Sequence, residues 1–296
     1  MPPSVTIALP VRNGENFLGR ALSSIASQTL TDYELLISDN ASTDRTWAII
    51  QQHGALDPRI RAERLDENVG AAENFNRLVP KARAPLFKWA SHDDVLAQGF
   101  LAACVGALDA DAGMVCCHTT TALIDATDAV RGVYQGQPGF AEADAAERFE
   151  RVITVPHRCF HAFGVMRTDV LTATGLIGAY TGSDRTLIAE LAMRGTLGML
   201  EPTLFGRRDH AEASIRKHVD ERERAAWFDP KLENAPPVGP TWRRLLGYAE
   251  AIERAGLGWT GSRPYYEALS RWIAGRQHAG RMKREMLAKE LAVDIL

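Results

Sequence analysis

Short apolar runs and amphipathic segments take turns along the first ~120 residues, about 25–30 residues apart. That alternation constrains the fold more than any other feature. Residues 5–10 (VTIALP) are β-branched and apolar and stop at a proline, which reads as a buried strand. Leu18, Ala21, Leu22, Ile25 and Ala26 then recur at helical spacing, predicting a helix over 15–27. Residues 33–38 repeat the strand pattern. Residues 42–44 open a second helix carrying Trp47, Ile49 and Ile50, and a weaker strand spans 60–65. A helix over 71–81 would bury Phe75, Leu78 and Val79. A fourth strand begins at 85, a helix covers 98–109 and a fifth strand 113–118. Strand and helix in this rhythm predict an α/β domain, doubly wound around a mainly parallel sheet.

Such sheets bind ligands beyond the carboxyl ends of their strands. The polar segments 10–13, 39–40, 68–70 and 91–94 each follow a predicted strand, so they are expected to converge on one edge. The stretch 85–96 (PLFKWASHDDVL) is the most telling. It starts as an apolar strand and ends in two adjacent carboxylates, Asp93 and Asp94. One reading makes Asp94 a helix cap and Asp93 a solvated loop acid. The other places both in the shared crevice, where buried acids need a cation or a metal.

Composition removes several alternatives. The formal net charge of −3 gives no reason to expect nucleic acid. Cys104, Cys116, Cys117 and Cys159 form no CxxC pair and read as reduced packing residues of a cytoplasmic protein. The first apolar run is too short for a signal peptide, and no run approaches the ~20 residues of a membrane span. No GxGxxG follows the first strand, and no GxxxxGKS/T occurs anywhere. Carboxylates without a glycine-rich loop suggest phosphates held through a bridging divalent cation.

Several spaced motifs together carry a resemblance: 7–18 (IALPVRNGENFL), 24–30 (SIASQTL), 34–44 (ELLISDNASTD), then Asn68 to Gly70 with Asn74, and His92 to Asp94. In this order they resemble family 2 glycosyltransferases of the GT-A fold over residues 1–120. The resemblance implies an inverting transferase using a nucleoside-diphosphate sugar. Pro10, Val11 and Arg12 would line the nucleotide pocket, and Asp39 would accept a hydrogen bond from the base. Asn40, Ser42, Asn68, Asn74 and His92 would lie nearby. Asp93 would be the metal ligand of the family's DxD motif, for Mg²⁺ or Mn²⁺. The sequence departs from the motif at Ser91, where the first acid is expected.

The second half is less regular. A glycine-rich loop is expected over 132–139, a helix over 142–151, a strand over 163–166 and a short helix from Asp169. Residues 181–184 (TGSD) open a helix through Leu187, Ile188, Leu191 and Ala192. Asp184 therefore reads as an N-terminal cap or, by the resemblance, as the general base that deprotonates an acceptor hydroxyl. A helix N-terminus is expected to keep it ionised. A last strand over 197–205 leads to Arg207, Arg208 and His210. These read as a solvated basic cluster or, by the resemblance, as a second metal ligand (His210) beside arginines facing the departing phosphate.

The catalytic domain is expected over 1–212, with a nucleotide-sugar half (1–118) and an acceptor half (119–212). A helical C-terminal region (213–296) would hold helices at 241–255, 263–275 and 279–293. It would help form the acceptor side, a homodimer contact or a peripheral membrane contact. The acceptor stays unidentified. Two other functions fit the same residues: a nucleotide-sugar-binding protein without transfer, or a sugar nucleotidylyltransferase.

Overall fold

The computed structural model describes residues 2–211, 220–234, 239–275 and 280–285. Its nine-stranded sheet runs β3-β2-β1-β4-β8-β6-β9-β5, with β7 added on β6. The strands are β1 (Val5–Val11), β2 (Tyr33–Asp39), β3 (Ile60–Arg64), β4 (Leu86–Trp89), β5 (Val95–Leu96), β6 (Met114–Ile124), β7 (Val130–Tyr134), β8 (Val165–Arg167) and β9 (Thr196–Arg208). β1 is parallel to β2 and β4, and β2 is parallel to β3. β6 is parallel to β9 along its length. Antiparallel pairing occurs where β8, β7 and β5 join. Most paired residues are thus parallel, and both faces of the sheet are covered.

Helices α1 (Leu18–Ala26), α2 (Thr46–Leu56) and α4 (Phe100–Ala110) bury Leu22, Ile25, Ile50, Phe100 and Leu101 against Ile7, Leu9 and Ile37 on one face. The other face holds Ala8, Phe87 and Trp89. They pack on Phe149 of α5 (Ala145–Thr154) and on Leu187 and Ile188 of α7 (Ser183–Ala192). The same cluster includes Tyr248 and Ile252 of α9 (Pro240–Arg254) and Trp272 of α10 (Gly258–Ala274). The C-terminal helices therefore belong to the core on this face of the sheet. Short helices α3 (Ala71–Asn76), α6 (Thr168–Thr172) and α8 (Glu221–Phe228) complete the chain.

Three expectations need correction, and a fourth is met as far as the described residues reach. The helix expected over 71–81 ends at Asn76, and a 3₁₀ turn at Val79–Lys81 follows, because Pro80 supplies no backbone donor. The region after residue 118 is a hairpin: β6 continues to Ile124, Asp128 turns the chain at φ 70°, and β7 takes up the start of the expected glycine-rich loop. Helix α10 begins at Gly258 and carries Pro264 inside it, where a start near 263 was expected. Of the helix expected over 279–293, residues 280–285 are helical and 286–293 lie outside the described residues.

All four cysteines are buried and unpaired by disulfides. Among the described residues no helix is long and apolar enough to cross a membrane.

Candidate active site

The parallel order β3-β2-β1-β4 brings the carboxyl ends of four neighbouring strands together, and their loops interlock. Pro10 and Val11 sit in register with Ser38 and Asp39. The Val11 carbonyl accepts from the Asn40 amide at 2.8 Å. The Asn13 amide donates to Ser42 Oγ (2.9 Å), and the Gly14 amide donates to Thr46 Oγ1 (2.8 Å). Gly14 also has no room for a side chain: a Cβ there would stand 2.7 Å from the His92 ring. The loop after β1 thus meets the loop after β4. Asn40 ties in the third segment. Its Nδ2 donates to Asn68 Oδ1 (2.9 Å) and the Gly70 carbonyl (3.2 Å), and its Oδ1 accepts from the Val69 amide (2.9 Å).

Within this frame Asp39 is fully buried. Its Oδ1 accepts from the Ser42 amide at 3.1 Å. Its Oδ2 lies 3.3 Å from Arg64 Nε but makes no hydrogen bond, so an acceptor stays open there. Asn74 Nδ2 donates to the Ser38 carbonyl (3.2 Å), and Asn74 Oδ1 is also without a partner. Arg12 projects from the strand end and is exposed.

Asp93 and Asp94 are both buried, at 6% and 5% exposure, so neither is a solvated loop acid. Helix α4 begins after Gly99, so Asp94 does not cap it. Both acids instead face the end of β9. Arg207 Nη1 donates to Asp94 Oδ1 at 3.0 Å and stands 3.6 Å from Asp93 Oδ2. The Arg208 amide also donates to Asp94 Oδ1 (2.9 Å). His210 Nε2 meets Asp93 Oδ2 at 2.9 Å across 117 residues of chain. Ser91 donates its hydroxyl to Asp93 Oδ1. Burial alone would push the Asp93 carboxyl up. The His210 hydrogen bond, the charges of His92 and Arg207 and the Ser91 hydroxyl outweigh it and hold Asp93 below the usual carboxylate range. Asp94 moves the other way, because burial and the Asp93 charge exceed the help from Arg207.

The arginines expected after the last strand are the last residues of β9 and are not a solvated cluster. Arg208 is 1% exposed, and its guanidinium donates to the Asp93 carbonyl (2.7 Å), the Asp125 carbonyl (2.7 Å) and Asp128. It braces the acid pair from behind and lies over the Phe17 ring at 4.8 Å. Phe17 also packs on His210, with ring centres 4.5 Å apart. Sequence reading missed Phe17, Arg64 and the bracing role of Arg208. Arg64 was within reach: it ends β3 in register with Asp39, as neighbouring parallel strands require.

Asp184 sits in the first turn of α7, after Gly182 at φ 89°. Its Oδ1 accepts from the Arg185 amide at 2.8 Å. Burial pushes the Asp184 carboxyl up, against the Arg185 backbone donor and charge and the Cys159 thiol. This corrects the expected low pKa. The helix terminus is present, but desolvation exceeds it. The Arg185 guanidinium turns away, to the carbonyls of Val152 (3.1 Å), Val155 (3.3 Å) and His157 (2.8 Å).

The family model "Glycosyl transferase family 2" matches residues 6–170, more than half of the chain. The chain belongs to this family. Among curated relatives it is similar to the chondroitin synthase of Escherichia coli, 32% identical over 124 residues, or 42% of this chain and 18% of that protein. It is similar also to a putative teichuronic acid biosynthesis glycosyltransferase, TuaG, of Bacillus subtilis. That match is 32% identical over 92 residues, 31% of this chain and 36% of that one. The matched segments thus span well under half of these relatives. Among solved structures, S. aureus TarS 1-349 in complex with UDP-GlcNAc superposes with a TM-score of 0.58 at 16% identity, over 91% of this chain and 80% of that one. The mannosyltransferase PcManGT of Pyrobaculum calidifontis, in complex with GDP-Man and Mn²⁺, gives 0.52 at 16% identity, over 98% and 87%. The shared architecture is the GT-A glycosyltransferase fold.

Proposed function

We propose that this family 2 chain is an inverting glycosyltransferase that moves a sugar from a nucleoside diphosphate to an acceptor hydroxyl. The observation that carries the reading is the meeting of Asp93 and His210 at 2.9 Å, at the edge where the loops after β1, β2 and β4 interlock. The open Asp39 Oδ2 supports a seat for the donor N–H of a base. Pro10, Val11 and Arg12 would flank that seat. Asn40, Ser42, Asn68 and Asn74 would set its shape through the bonds that join the loops.

A divalent cation fits the residues present. A carboxylate and an imidazole converge, and His210 Nδ1 and Asp94 Oδ2 are buried without partners. Among the described residues no three such ligands gather, so a bound ion would need further oxygen ligands from substrate or water, which Mg²⁺ and Mn²⁺ accept. Asp93 and His210 would hold the ion, which would supply positive charge against the departing diphosphate. Ser91, in place of the first acid, orients Asp93 through its hydroxyl.

Asp184 is the general base. It takes the proton of the acceptor hydroxyl while that oxygen attacks the anomeric carbon and the bond to the diphosphate oxygen breaks. The configuration inverts because attack and departure are on opposite faces. A carboxyl raised by burial suits this role, since a base works best with a pKa nearer the working pH. A second reading, a nucleotide-sugar binder without transfer, draws on the way Ser91, Arg207 and His210 already satisfy Asp93.

One substitution separates the two. Asp184→Asn is expected to lower transfer by about 10²–10⁴-fold while leaving the affinity for UDP or GDP with Mn²⁺ within twofold. Turnover of a panel of nucleotide sugars, measured beside calorimetric binding, reads both. Near-normal turnover by Asp184→Asn sinks the base assignment, and wild type that binds but neither transfers nor hydrolyses favours the binder. In wild type the acid limb of kcat/KM is expected above the ordinary carboxylate value of about 4.

A further inference from the structure

The acceptor side is enclosed by residues far beyond the matched family segment. Helix α9 presses on the loop that opens α7. A Cβ on Gly182 would stand 2.8 Å from Arg244 Cδ, and one on Gly247 would stand 2.3 Å from the Tyr180 hydroxyl. Arg244 therefore lies along the backbone two residues before Asp184. One turn further along α9, on the same face, Tyr248 is fully buried and its hydroxyl has no partner. Arg244 Nε is likewise buried without a partner.

The neighbouring arginines differ. Arg243 pairs with Glu250 at 3.0 Å, and Arg254 pairs with the buried Glu190 at 2.9 Å. No carboxylate among the described residues pairs with Arg244. Its guanidinium lies 6.0 Å from the centre of the Trp272 ring, a contact that does not use its donors. The Cys159 thiol, hydrogen-bonded to Asp184, is within reach of the Arg244 charge, so guanidinium and candidate base share one environment.

A positive group left unpaired beside a desolvated carboxylate has a chemical use. An anionic acceptor would be repelled by Asp184, and the repulsion would grow as water leaves the site. A guanidinium beside the base offsets it and offers paired donors to a carboxylate or a phosphate.

We infer that Arg244, with the Tyr248 hydroxyl behind it, forms an acceptor-side anion seat, and that the acceptor is a glycan carrying a carboxylate or phosphate close to its reacting hydroxyl. This rests on the assignment of Asp184 as base. In this assignment Arg244 is a specificity residue for the acceptor.

The test is binding to the full chain by calorimetry or ligand-observed NMR, with UDP and Mn²⁺ present. Three probes are compared: a hexuronate-containing tetrasaccharide, a polyol-phosphate oligomer, and a neutral glucose tetrasaccharide. One of the two anionic probes is expected to bind at least tenfold more tightly than the neutral one, and which one binds identifies the anion. Arg244→Gln should remove that preference, and Arg244→Lys should keep part of it. UDP affinity should be unchanged in both, which also shows that the variants fold. Equal binding of the neutral probe, no binding of either anionic probe, or an unaltered preference in Arg244→Gln overturns the inference. Failure of the transferase reading is seen separately, as loss of UDP binding or turnover in wild type.

Discussion

The two halves of the molecule hold their chemistry differently. Around β1 to β4 the polar side chains are fastened to one another: Asn40 to Asn68, the Asn13 amide to Ser42, Asp93 to His210 and Ser91. Around Asp184 few such ties exist: its carboxylate takes the Arg185 amide and the Cys159 thiol, while the nearby Tyr248 hydroxyl and Arg244 Nε are buried without partners. A rigid, hydrogen-bonded seat suits a ligand of fixed shape such as a nucleotide. A wall with unfilled donors suits a second substrate that completes it. The two carboxylates follow their surroundings, with Asp93 held low by partners and Asp184 pushed up by burial.

The sharpest way to break the comparison is to remove the wall. Trp272 is 2% exposed and packs edge-on against Tyr248 with ring centres 5.5 Å apart. Trp272→Ala is expected to cost about 3–5 kcal/mol. Calorimetry should show one lowered transition, since α9 and α10 share their core with α5 and α7. A separate early transition, with UDP binding intact, would mean that the C-terminal helices are an independent unit.

A smaller effect tests the seat. Asp39→Asn leaves the shape but replaces the open charged acceptor, so UDP should bind about 10–100-fold more weakly, the worth of one charged hydrogen bond. Unchanged affinity would move the base elsewhere.

The smallest effect lies between the halves. His118 is fully buried on β6, and burial, then the His161 and Lys88 charges, hold its pKa well below the usual 6.5. Burial also lowers His161 to about 4. Depressed histidines contribute stability that is present above the unfolded value near 6.5 and lost as pH falls toward the folded one. Stability should therefore drop by roughly 1–2 kcal/mol per histidine between pH 7 and pH 5. His161→Asn should flatten that slope in denaturant titrations across pH, and an unchanged slope would assign the loss to other groups.

The first half was legible because its signals are local. Apolar runs, helical spacing and polar strand ends fixed the order of elements, and parallel pairing then put segments 10–13, 39–40, 68–70 and 91–94 together. Nothing local marks Arg208 as a buried brace or β6–β7 as a hairpin, since both depend on partners more than 60 residues away or on a turn closed by Asp128. Lys88 shows the same limit. Inside an apolar strand it looks misplaced. Yet its ammonium reaches the Trp89 carbonyl at 3.2 Å and the Phe163 carbonyl, under the Phe100 ring at 4.6 Å, with its pKa lowered by burial to about 8. The raised pKa of Asp184 was hidden for the same reason: a sequence announces a helix start but not how much water is removed from it.

The family model stops at residue 170, while the helix that leans on Gly182 begins at Pro240. What is inherited in common and what crowds Asp184 are therefore separate lengths of chain. Relatives equally distant over 6–170 can therefore differ around Asp184 through changes confined to one late helix.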